Sequence, residues 1–410
     1  MTSEFDISKM VYPFSRPSSD MPAAEYSWLA AHHPIVKLPT AYGTEAWIVT
    51  GHRLVREVLS DDRFSARMPG TTAVAAEPMD PRDDPTTLLS NLDPPDHTRL
   101  RRLFAGSFTP AQAERLRPLL EQHAERLLDL VVEDRAPRDL ASMFVFPFVG
   151  RATWLLLDVP DVLLPDFEEW NRRHHQSMEP AENVGPPPEV NPVFASRLAL
   201  RRNVEALIDH RRRHPGDDLV SGLVRELESG GFRDHAELVN QLTGVVVAAY
   251  EPTSNMVGLA IMRMLAVPED YARLCREPEV IPSAVEEVLR HQLPTDVGFI
   301  RVAAEDVEIG GATVSEGEIV IVSQEGAHRD PVVFPEPLKV DIDRRPNSHV
   351  AFGHGRHHCL GAPLARVEIA TALGVLTKRL PSLRLVTSLE AVPRRTAFAQ
   401  LGPRELLVEW

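Results

Sequence analysis

Apolar positions along most of this chain recur at the three- and four-residue spacing of helices; in only a few stretches do they fall into the short runs expected of strands. Ile35-Val36-Lys37-Leu38 and Ala46-Trp47-Ile48-Val49 predict two strands about the turn-prone Tyr42-Gly43-Thr44, and Leu54, Val55, Val58 and Leu59 predict a short helix after Gly51. Asp93, before Pro94-Pro95, predicts the N-cap of a helix running through Arg101, and from Pro110 to Leu157 the pattern is helical throughout. The longest periodic segment, Asp234 to Leu265, opens on a capping-box-like Asp234 and Glu237, and Leu238, Leu242, Val245, Val246 and Ala249 continue it. Apolar residues on nearly every side between Leu242 and Ala249 predict burial. Val297 to Val302, Val307-Glu308-Ile309 before Gly310-Gly311, and Ile319 to Val322 predict further strands, Arg366 to Leu380 a helix, and Leu385 to Trp410 mixed strand and turn. Met68 to Leu89 and Glu179 to Pro192 show little periodicity and read as long loops. The pattern predicts a mainly α protein with a smaller β-rich lobe, its β-rich parts at roughly 35–50, 297–325 and 385–410.

Composition narrows this picture only a little. The 410 residues are 43% hydrophobic and 25% charged, as in a globular protein, and length alone allows one large domain or two. No run of about 18 apolar residues occurs, and Met1-Thr2-Ser3-Glu4-Phe5-Asp6 has the character of neither a signal peptide nor an anchor, so a cytoplasmic protein without a membrane segment is expected. A net charge of −15 disfavours a nucleic-acid partner, and two distant cysteines argue against a disulfide framework.

The candidate chemistry lies in Phe352-Gly353-His354-Gly355-Arg356-His357-His358-Cys359-Leu360-Gly361. Two glycines bend the backbone before one cysteine, and the Ala-rich run after Gly361 starts a helix just beyond the sulfur. A helix N-terminus there lowers a thiol pKa, which predicts a thiolate suited to haem iron. From these residues alone, a simply buried cysteine or a zinc site with His349, His354, His357 or His358 stays open.

The whole string resembles the haem-binding signature of the cytochrome P450 family, at Phe352, Gly353, Gly355, His357, Cys359 and Gly361, with Leu364-Ala365-Arg366 continuing it as in bacterial members. The resemblance implies the cytochrome P450 fold over residues 1–410 as a single domain, holding haem b (iron protoporphyrin IX) between the Asp234–Leu265 helix and the cysteine loop. Cys359 is then the axial iron ligand, and His97, Arg101, Arg301 and His357 are the cations for the haem propionates. Glu287, Arg290 and Arg344 would form a structural ion network beneath the loop, with breakage leaving a buried charge unpaired. By the same resemblance the two long loops and Phe398 to Leu401 border the substrate pocket.

In the family the central helix carries a small residue, an acid and then a threonine that help deliver protons. Here the string is Ala248-Ala249-Tyr250-Glu251-Pro252-Thr253, so Ala249 and Glu251 fit while Pro252 stands where threonine is usual and Thr253 is displaced by one. One position is about 100° of helix, and proline lacks an N–H and clashes with the carbonyl of Ala248, so a kink is expected. Glu251, and less directly Thr253, are the candidate catalytic residues.

The implied activity is O2- and NAD(P)H-dependent monooxygenation of a secondary metabolite, with electrons from a ferredoxin and its reductase, by a monomer. Arg99, Arg102, Arg356 and Arg366 are expected on the proximal side as a docking patch. The alternatives are oxidative coupling or cyclisation of aromatic or indole substrates such as cyclic dipeptides, for which Pro252 is the motive, and a haem sensor without turnover.

Overall fold

The computed structural model describes residues 5–16, 21–41, 43–67, 85–177, 192–295, 297–395 and 401–410. Helices dominate: α1 (Ala24–His32), α2 (His52–Ser60), α3 (Asp96–Ala105), α4 (Pro110–Glu133), α5 (Phe146–Leu156), α6 (Leu164–Ser177), α7 (Pro192–Arg213), α8 (Leu219–Glu228), α9 (His235–Leu265), α10 (Pro268–Arg276), α11 (Ile281–His291), α12 (Gln324–His328) and α13 (Ala362–Arg379). The strands are β1 (Ile35–Pro39), β2 (Glu45–Val49), β3 (Phe64–Ser65), β4 (Arg138–Asp139), β5 (Phe299–Ala303), β6 (Val307–Ile309), β7 (Ala312–Val314), β8 (Ile319–Val322), β9 (Arg384–Leu385) and β10 (Leu407–Glu409).

Helix α9 is the beam of the molecule. Asp234 caps it, its side chain accepting the Glu237 N–H at 2.8 Å, and α9 packs against α5, α7, α10, α11 and α13. By length and composition α9 is apolar enough to cross a membrane, but 67% of its most apolar window is buried inside the protein, which is what a core helix requires. Leu238, Leu242, Val246, Val257 and Ala260 are fully buried in one apolar core with Leu120 and Leu128 of α4 and Phe148 of α5.

The β lobe is a five-stranded sheet in the order β1-β2-β8-β5-β3, accompanied by a three-stranded sheet β4-β10-β9 and the hairpin β6-β7. Strands β1 and β2 pair antiparallel about the predicted turn, and β2 then pairs parallel with β8, Trp47 against Val320 through Val49 against Val322.

Two local expectations are corrected. The stretch from Pro110 is not helical throughout: Thr109 caps α4, which ends at Glu133, and an intervening strand pairs with β10 before a π-helical turn at Ala141–Val145 leads into α5. Asp93 is not a helix cap either, because α3 starts at Asp96. Its carboxylate instead accepts from the Ser65 hydroxyl at 2.5 Å and the Ala66 N–H at 2.9 Å, tying α3 to the sheet edge.

Candidate active site

The cysteine loop needs its glycines. Gly353 and Gly355 have φ of 72° and 69°, in the left-handed region, and a Cβ on Gly355 would sit 2.4 Å from the carbonyl oxygen of Leu59 at the end of α2. That close seat fixes the loop. The Cys359 N–H closes it by donating to the Phe352 carbonyl at 2.8 Å, and α13 begins three residues further on. The sulfur lies deep among protein atoms, yet the residue remains accessible. Burial pushes the Cys359 thiol up, against the N–H groups of Gly361 and Ala362 and the cations Arg101 and Arg366. The expected lowering of the thiol pKa is therefore not met by the protein alone. A metal cation bonded to the sulfur would supply the remainder, since a metal deprotonates a coordinating thiol outright.

Around the loop the chain gathers cations. His97 of α3 and His357 of the loop lie with ring centroids 4.2 Å apart, Arg101 donates to the His358 carbonyl at 2.7 Å, and Arg301 comes from β5. Burial first, then the charges of His97 and Arg301, depress His357 to about 3, and burial with Arg101 likewise lowers His97. His97 Nε2 is buried with no hydrogen-bond partner among the described residues. Arg301, only 6% exposed, donates one described side-chain hydrogen bond, to the Ile300 carbonyl at 2.8 Å, and pairs with no carboxylate among the described residues. Donors buried without acceptors fit the carboxylates that a haem would bring.

Helix α9 supplies an open strip. Ala248 and Pro252, four apart, are exposed on a helix otherwise largely buried, and Val245 and Ala249 beside them are half-buried. The helix runs continuously through Pro252, whose missing N–H leaves the Ala248 carbonyl without its helical partner. Thr253 is 8% exposed and packed on another side.

Glu251 turns to α6, where its carboxylate meets His174 Nε2 at 2.8 Å. His174 Nδ1 lies 2.9 Å from the Ser196 hydroxyl of α7, and its ring stacks on Trp170. Next to it Arg395 donates to His175 Nδ1 at 2.8 Å, so His175 presents its Nε2 N–H to Tyr250, and burial holds its pKa to about 2. This polar cluster behind α9 was missed from sequence. Two adjacent histidines on an amphipathic helix carry no signal of a partner some 75 residues away.

Glu287, Arg290 and Arg344 meet in one buried ion network. Glu287 and Arg290, both 0% exposed, form a two-pronged pair at 2.8 Å, and Arg344 Nε reaches Glu287 at 3.2 Å. Arg290 also donates to the carbonyls of His328, Pro337 and Lys339, so all five of its N–H groups are used. The arginines expected to form one patch are largely committed: Arg99 to Glu237, Arg356 to Asp62 and Arg366 to Glu286. Arg99 thus serves the start of α9, and only Arg102 is fully exposed. The loop regions 68–84, 179–191 and 398–400 lie outside the described residues; the remainder of the first loop, 85–89, forms short turns, and Pro192 opens α7.

Comparison with known proteins gives one answer. A family profile described as cytochrome P450 matches residues 201–381. The chain is 38% identical to mycinamicin IV hydroxylase/epoxidase of Micromonospora griseorubida, covering 97% of this chain and 98% of the other. It is 37% identical to nocardicin C N-oxygenase of Nocardia uniformis subsp. tsuyamanensis, again over 97% and 98%. The solved structure of the mixed-function P450 MycG in complex with mycinamicin IV, 36% identical, superposes with a TM-score of 0.83 over 98% of this chain and 99% of that one.

Proposed function

This chain belongs to the cytochrome P450 family, and from that premise we propose that residues 1–410 act as one cytoplasmic, monomeric haem-thiolate domain that oxygenates a small secondary metabolite. As a member of the family it is a monooxygenase that binds haem b between α9 and the cysteine loop. When bound, the haem supplies the activation of dioxygen, which the residues of the chain can only support. The reading rests above all on Cys359, an accessible residue held in a glycine-bent loop with the N–H groups of Gly361 and Ala362 turned to its sulfur.

Each remaining residue has a stated task. Cys359 would hold the haem iron through its sulfur, and His97, Arg101, Arg301 and His357 would hold the two propionates by charge-assisted hydrogen bonds. Glu287, Arg290 and Arg344 keep the floor beneath the loop rigid. Glu251, with His174 as its hydrogen-bond partner, relays protons on the α9 side, whereas Thr253 is packed away from the open strip. In this reading electrons come from a ferredoxin and its NAD(P)H-dependent reductase, a step supported by kinship with bacterial P450 oxygenases.

A second reading has its own observation. Pro252 removes the threonine hydroxyl from the open strip without interrupting α9, and oxidative coupling or cyclisation of an aromatic substrate depends less on that hydroxyl. Turnover under isotopically labelled dioxygen separates the two: a labelled product supports oxygenation, and a coupled product free of label overturns it in favour of coupling. In parallel, Cys359→Ser is expected to abolish the red-shifted band of the reduced carbon monoxide form; a retained band would remove the ligand assignment.

A further inference from the structure

We infer that the main-chain carbonyl of Ala248 is a substrate-binding acceptor, selecting ligands that present a donor-only N–H of the indole or lactam kind to the open strip of α9. The inference rests on the haem-site reading above and adds to it the chemical class of the substrate.

In an uninterrupted helix the carbonyl of residue 248 receives the N–H of residue 252. Residue 252 is proline, which has none, so that carbonyl is left without its helical donor. Ala248 and Pro252 are both exposed and stacked four apart, so the freed oxygen lies on the open strip. Its surroundings decide what it takes. Going round the helix, Glu251 is engaged with His174, Thr253 is 8% exposed, and Val245 and Ala249 are apolar. The strip therefore offers one acceptor and no side-chain donor.

A hydroxyl placed there would satisfy its proton but leave its own lone pairs without a donor from this helix. An indole or lactam N–H has only the proton to place, so it matches a lone acceptor on an apolar surface without leaving a polar remainder from that nitrogen.

The test uses the haem-loaded full chain, with indole and 1-methylindole as probes, binding being read by equilibrium dialysis. The extra methyl changes hydrophobic burial in every variant, so the measured quantity is the ratio of the two dissociation constants. Pro252→Ala returns an N–H to the Ala248 carbonyl without adding a hydroxyl. The preference for indole is expected to fall by about three- to tenfold in this variant, the span of one ordinary hydrogen bond, through weaker indole binding with 1-methylindole unchanged. An unchanged ratio, or failure of the wild type to bind either probe, overturns the inference if the thiolate band of the carbon monoxide form is normal. Absence of that band in the wild type sinks the haem reading and this inference with it.

Discussion

Arg290 and Arg301 are both buried, at 0% and 6% exposure, yet they are treated in opposite ways. Arg290 spends five N–H groups on Glu287 and three main-chain carbonyls, and Phe334 lies under its guanidinium at 5.4 Å. Arg301 donates to the carbonyl of its own neighbour. Burying a guanidinium is costly unless its donors are met, so the first site is complete in itself and the second is complete only with a guest. The contrast separates a residue that holds the fold from one proposed to hold the cofactor, although both are buried arginines.

The strongest way to break this comparison is Glu287→Gln. It strands Arg290 and Arg344 without a carboxylate, and a loss of about 3–5 kcal/mol is expected by urea unfolding of the haem-free chain. A loss below about 1 kcal/mol would mean that the network carries no structural load. Arg301→Gln should act with the opposite balance. Haem retention, followed by transfer to a scavenging globin, is expected to fall by about ten- to hundredfold, the range of a hydrogen bond to a charged group, while the haem-free chain is no less stable. Equal destabilisation of both forms would erase the distinction.

The smallest effect is one of pH. Burial, with Arg101 and Arg301, holds His97 below its ordinary 6.5, so the unfolded chain binds a proton there before the folded one does. Stability of the haem-free chain therefore declines as pH falls from about 6.5, by at most ~1.4 kcal/mol per unit for this group. For Glu286, burial raises the pKa but His349 and Arg366 outweigh it, holding the carboxyl at about 2, so its contribution is complete above 4.5 and lost only below it. Urea unfolding across pH should show His97→Phe reducing the slope of the first window, where His357 and His175 also contribute, and Glu286→Gln altering only the second.

Local pattern carried much of the fold. Leu54, Val55, Val58 and Leu59 gave α2 within a residue, and the Asp234 cap placed the start of α9 to one residue. Asp93 misled because an aspartate before proline has the chemistry of a cap, whereas its actual partners, Ser65 and Ala66, are contributed by the sheet. The π turn before α5 left no trace because its apolar spacing still reads as helix. At the site, Cys359, His97, Arg101, Arg301 and His357 were legible through the family signature and its companions, yet the pairing of Glu251 with His174 was not. It depends on the crossing of α6 and α9, and no periodicity encodes which faces of two helices meet. Pro252 was visible as a departure; that α9 continues through it required the structure.

The parallel seam between β2 and β8 has a consequence for synthesis. Val49 must wait for Val322 before that seam can close. At about 5–20 residues per second, the 273 residues added after Val49 to reach Val322 correspond to roughly 14–55 s on the ribosome. During that interval the nascent hairpin of β1 and β2 carries an unsatisfied edge, which makes it the natural place for a chaperone to bind and for premature aggregation to begin.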